Sequence, residues 1–157
     1  MAFAFRKRLR QHKRECFPFK FVKAILLPVD ENQPRIIEVV CNMKPPEDGE
    51  DGYDHPQVRS YLGHPDHLGR RQVDPDPGLP GLHRDYSLEM FCRDAFLIDG
   101  SPVNQCVQHL TWGLAPHKWA GPIVILKQHQ NTERYVDADL SMLEPIIVYF
   151  LEYGRGR

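Results

Sequence analysis

Gly121-Pro122-Ile123-Val124-Ile125-Leu126-Lys127 decides the fold, because its four consecutive apolar residues leave no face suited to water. The run is β-branched and too short for a buried helix. Gly121 and Pro122 bound it on one side and the polar Gln128-His129-Gln130-Asn131 on the other. It predicts a central strand, and the other segments are placed by asking what covers it.

Downstream, Gln128 to Thr132 predicts a turn and Arg134-Tyr135-Val136 a short edge strand. Ser141-x-x-Glu144 has the form of a capping box, and Pro145 suits a first helical turn, so a helix opens between Asp139 and Glu144. Ile146 to Leu151 is apolar nearly all round, and Gly154 is the expected stop. Such a helix must pack on the sheet or on another chain.

Upstream, Leu88, Met90 and Cys92 alternate with Glu89, Phe91 and Arg93, which predicts a strand. Asp99-Gly100 then predicts a hairpin whose returning strand carries Val103, Cys106, Val107 and Leu110. Phe17, Phe19 and Phe21 lead into Ala24-Ile25-Leu26-Leu27, and after a polar connection Ile37, Val39, Cys41 and Met43 share one face. These two segments form an antiparallel hairpin that Pro45-Pro46 ends.

Residues 45–87 stand apart: 43 residues hold seven prolines, six glycines, four histidines and nine acids, with no apolar period. They are expected to be an irregular excursion, relieved only by a short helical piece near Pro56 to Gly63. The predicted fold class is therefore α+β. A mostly antiparallel sheet of about five or six strands carries a C-terminal helix on one face, with the Pro/Gly-rich excursion outside it. The division is a basic N-terminal arm, 1–16, and one α+β domain, 17–157.

At 157 residues and 41% hydrophobic, the chain can bury roughly 70% of its unfolded surface in one core. The net charge of −1 hides an asymmetry, since residues 1–20 carry seven Lys/Arg against Glu15 alone. Arg6, Lys7, Arg8, Arg10, Lys13 and Arg14 suit a solvated tail, an arm that contacts nucleic acid or directs nuclear import, or an Arg-rich, acid-poor mitochondrial presequence. Four cysteines without Cys-x-x-Cys spacing read as reduced thiols of an intracellular protein, cytoplasmic or nuclear, and no apolar stretch suits a membrane span.

Chemistry-bearing constellations are weak. His64-Pro65-Asp66-His67 and His83 offer donors for iron or zinc, with His109, His117 or His129 as a later partner to His64 and Asp66. Glu47 to Asp51 and Asp74-Pro75-Asp76 read as solvated carboxylates. Cys106 with His109 is a formal nucleophile and base, though its apolar neighbours favour a core thiol. Tyr53, Tyr61, Tyr86, Trp112 and Trp119 lie outside the periodic segments, where aromatic residues serve as interface anchors.

The expectation is a non-enzymatic interaction or scaffold domain without a cofactor. It binds a protein partner, or a second copy of itself, through residues 45–87 and the basic arm. The alternatives are an iron- or zinc-dependent enzyme and a nucleic-acid-binding protein using the arm. No membrane contact is expected.

Overall fold

Alternation makes β1 (Phe19–Leu27) a strand with two unlike faces, Val22 and Ala24 turned one way and Phe21, Lys23 and Ile25 the other. The computed structural model, which describes residues 18–73 and 85–153, pairs it antiparallel with β2 (Arg35–Lys44) from Phe19↔Asn42 to Leu26↔Arg35. That is the expected hairpin. Then follow β3 (Tyr53–Pro56), β4 (Leu68–Val73), β5 (Tyr86–Arg93), α1 (Gln105–Leu110), β6 (Ile123–His129), β7 (Arg134–Val136) and α2 (Leu143–Glu152). All strands join one curled antiparallel sheet in the order β3-β2-β1-β6-β5-β4, with β7 on β6.

β6 is central, as its composition requires, and Ile123 to Leu126 are fully buried. β5 flanks one side of it from Tyr86↔His129 to Phe91↔Val124. The other side is shared: β1 pairs at Ile25 to Leu27, and β7 takes over from Lys127. Where β1 leaves β6, Lys23 N donates to the Asp137 carboxylate at 2.8 Å and its carbonyl accepts from Ala138 N at 2.9 Å. The main-chain groups are thus satisfied without a strand, as a buried sheet requires.

Each sheet face has its own core. On the outer face, Ile25, Leu27, Leu88, Met90, Ile123 and Ile125 lie under α1, α2 and the Phe96–Trp119 pair. On the inner face of the curl, Val22, Val39, Cys41, Val124, Leu126 and Tyr135 meet Val58 and Leu62 of a 3-10 turn, Arg59–Leu62. A carboxylate ties edge strand β3 to β7 across that curl. Buried Asp54 on β3 accepts from Tyr135 N at 2.8 Å, from Arg134 Nη1 at 2.8 Å and from Lys20 Nζ at 2.6 Å. Burial alone would raise its pKa, but the bonds from Lys20, Arg134 and Tyr135 N outweigh it and hold the carboxyl below its ordinary value.

Two expectations are corrected. Residues 45–87 are not irregular throughout: β3, the 3-10 turn and β4 fall within them, while 74–84 lie outside the described residues. β4 escapes a periodicity search because it is an edge strand with apolar residues only at its ends, Leu68 and Val73. At Gly69 a Cβ would stand 2.9 Å from Cys92 Sγ, so glycine here marks close strand approach, not a loop.

The second correction is at 103–110, where α1 replaces the predicted returning strand. Asn104, fully buried, caps α1 by accepting from Val107 N at 2.9 Å and donates to the carbonyls of Leu27 and Gly121. The two donated bonds tie the start of the helix to the end of β1 and to the residue that leads into β6. The C-terminal helix begins within the predicted window but not with a capping box. Asp139 accepts from Ser141 N at 2.8 Å and starts a 3-10 turn, Leu140–Met142, that runs into α2. Gly154, the expected stop, lies outside the described residues.

Candidate interaction surface

Two loops project from the outer layer, one on each side of α1, and their inner residues explain their outer ones. In the first, Phe96 turns inward and stacks on Trp119 with ring centroids 5.2 Å apart, which leaves Leu97 and Ile98 in solvent, Ile98 being 88% exposed. Arg93 Nε donates to Asp99 Oδ2 at 2.7 Å, and Asp99 Oδ1 accepts from Ser101 N at 2.9 Å. The Ser101 hydroxyl, which also donates to Asp99 Oδ1, then Arg93 and then the Ser101 amide draw the Asp99 carboxyl down to about 2. Arg93 Nη1 also donates to Leu62 O at 2.9 Å, tying the loop to the inner-face 3-10 turn.

The second loop begins where α1 ends. Gly113 N donates to Gln108 O at 2.8 Å, Leu114 N to Thr111 O at 2.9 Å, and the Thr111 hydroxyl to Val107 O at 2.7 Å. This closure places Trp112 at φ +55° and Gly113 at φ +70°. A left-handed backbone at a bulky residue costs about 1–2 kcal/mol, and Trp112 gains no burial in return, being 88% exposed. The loops converge at their far ends, where Val103 bridges Ala120 and Asn104 N donates to Trp119 O at 2.8 Å. Exposed Leu97, Ile98, Val103, Trp112 and Leu114 thus belong to one structural unit around α1.

The aromatic anchors separate. Trp119 is only 1% exposed and wedged among Phe96, Phe150 and Tyr153, so its ring is core and offers no surface. Its neighbour Arg71 lies over the Trp119 and Tyr153 rings. Tyr61 is half-buried on the inner face and donates to Glu38 O at 2.6 Å. Tyr86 carries Lys127 Nζ 4.4 Å from its centroid and meets the His129 ring edge-on. Tyr53 is exposed on β3 beside Lys44. Of the five, Trp112 alone projects freely.

His64, Asp66 and His67 are exposed in the turn that leads to β4, where His64 N donates to Arg59 O at 2.9 Å at a backbone φ of +51°. Among the described residues no three His, Cys, Asp or Glu converge to hold a metal ion; His83 lies outside them. Of the later histidines, His117 packs on Tyr153 and His129 on Tyr86. Cys41, Cys92 and Cys106 are free and buried. Burial pushes the Cys41 thiol up to about 12 and the Cys106 thiol to about 11, so neither supplies a thiolate near neutral pH. The basic residues Arg6, Lys7, Arg8, Arg10, Lys13 and Arg14 also lie outside the described residues.

One charged cluster went unnoticed in the sequence. Arg70 grips Glu89 with two bonds of 2.8 and 2.9 Å, and the buried Tyr135 hydroxyl donates to the same carboxylate. Burial and the Glu89 charge raise the Tyr135 pKa well above its ordinary value, which keeps the phenol neutral. The three come from β4, β5 and β7, so only the pairing of those strands brings them together. Among the described residues no helix is long and apolar enough to cross a membrane. No family model, curated protein or solved structure matches the chain.

Proposed function

We propose that this chain is a non-enzymatic interaction domain that binds a protein partner through the two loops flanking α1. The observation that carries the reading is Trp112, an almost wholly exposed tryptophan held on a left-handed backbone by a closed set of main-chain hydrogen bonds. A large, rigid, amphipathic ring lowers the entropy cost of binding, and tryptophan is the side chain most concentrated at interface hot spots. Ile98 and Leu114 add apolar area on the same unit.

The contact moves away from residues 45–87, because β3 and β4 and the 3-10 turn make the described part of that segment scaffold. The basic arm is retained as a second, salt-sensitive contact. The iron or zinc alternative has no convergent donor set among the described residues to argue from.

The test compares partner capture from an extract of the source cells by the wild-type chain and by Ile98→Ser/Trp112→Gly. Their thermal unfolding is matched first. Loss of specific proteins from the variant supports the reading, whereas identical recovered sets from two equally folded chains overturn it. Replacing 45–87 by a linker is no test, since it removes β3 and β4 from the sheet.

A further inference from the structure

The described residues cover the outer sheet face only in part. α1, α2 and the loops lie over β4, β5 and β6 and reach Ile25 and Leu27 at the end of β1. Beyond Ile25 the register keeps Phe19, Phe21 and Lys23 of β1 on that face, beside Ile36, Glu38, Val40 and Asn42 of β2, with Tyr53 on β3. Phe21 is 59% exposed, Ile36 is 40% exposed, and Phe19 meets Phe21 edge-on at 5.9 Å. Phe19, Phe21 and Val40 are neighbours on this face, while Ile36 stands beyond the charged Lys23–Glu38 row, and a face that leaves apolar rings in solvent on one side of a charged row suits a contact.

We propose that this bare half-face packs against the same half-face of a second copy of the chain. The charge pattern selects that occupant. Lys23 and Glu38 stand directly opposite each other in the β1–β2 register, both exposed, and neither side chain has an ion-pair partner among the described residues. A two-fold axis running along the strands between β1 and β2 sets each copy's Lys23 over the other's Glu38, and each Phe21 over the other's Val40. An axis across the strands would instead stack Lys23 on Lys23. The face is therefore self-complementary in one orientation, as a closed two-fold interface demands, and that orientation suits aligned sheet packing.

This inference is independent of the loops around α1. Sedimentation velocity of the full chain tests it, with Lys23→Glu and Glu38→Lys made separately and then mixed. Wild type is expected to be dimeric at micromolar concentration. Each single variant places like charges across the interface twice and should self-associate about a hundredfold more weakly. The equimolar mixture should recover a dimer, because one copy's two glutamates then face the other's two lysines. Thermal unfolding confirms that each variant is folded. A monomeric wild type, single variants that still dimerise, or a mixture that stays monomeric each overturns the proposal.

Discussion

The outer face of the sheet is one continuous surface with two fates. Over β4, β5 and β6 it is buried beneath Phe150, Ile146, Val107 and Trp119; over β1, β2 and β3 it shows Phe21 and Ile36 to solvent. Local propensity does not separate the halves, since β1 runs through both and carries apolar residues on this face in each. The limit is reach. α2 has ten residues and spans about 15 Å, while six strands spaced at about 4.8 Å cover about 24 Å. One short helix and a shorter partner can roof half a sheet, and the other half keeps the chemistry of an interface.

The strongest way to break this contrast is in the covered half. Phe150→Ala removes a fully buried ring set against Trp119 and should cost about 3–5 kcal/mol, read by urea unfolding. Asp54→Ala comes next, at about 2–3 kcal/mol, because Tyr135 N loses its acceptor and Lys20 and Arg134 lose a shared counter-ion. Asp54 also sets a sign in pH. Its folded pKa lies below the ordinary 3.8, so its stabilisation is complete above that value and is lost as pH falls below it. An acid titration of stability should show a larger loss in wild type than in Asp54→Ala, in which the bonded Asp99 and Asp139 carboxylates still supply a smaller one.

Smaller effects sharpen the exposed regions. Trp112→Gly relieves a left-handed backbone and should leave stability unchanged or raise it by up to about 1 kcal/mol, a direction opposite to that of a core tryptophan. A calorimetric loss of more than about 1 kcal/mol would mean that the ring is packed after all. Phe21→Thr keeps a good strand former and should change stability by less than about 0.5 kcal/mol. It is nonetheless expected to weaken self-association measured by sedimentation. Equal and large losses in Phe21→Thr and Phe150→Ala would erase the distinction between the halves.

Much of the scaffold was legible. The β1–β2 hairpin, β5, central β6, β7 and the start of the last helix all follow from period-two alternation, continuous burial or turn chemistry at their own residues. β3 and β4 were not, because a four-residue strand and an edge strand of mostly exposed residues carry too few apolar positions to show a period. Asp99-Gly100 did make a tight turn, with Gly100 at φ +79°, but the chain after it became α1. The signal that could have found α1 was Asn104, placed three residues before Val107, where an N-cap side chain accepts from the helix.

Sequence alone determined which segments must be buried and which must turn, since alternation, β-branching and proline act within a few residues of themselves. Only the tertiary structure decided that Trp119 is core while Trp112 is surface, that Asp54 ties β3 to β7, and that Arg70 and Tyr135 share the Glu89 carboxylate. The reason is sequence distance. Asp54 lies 81 residues from the amide it accepts from, and no local pattern encodes a partner so far along the chain.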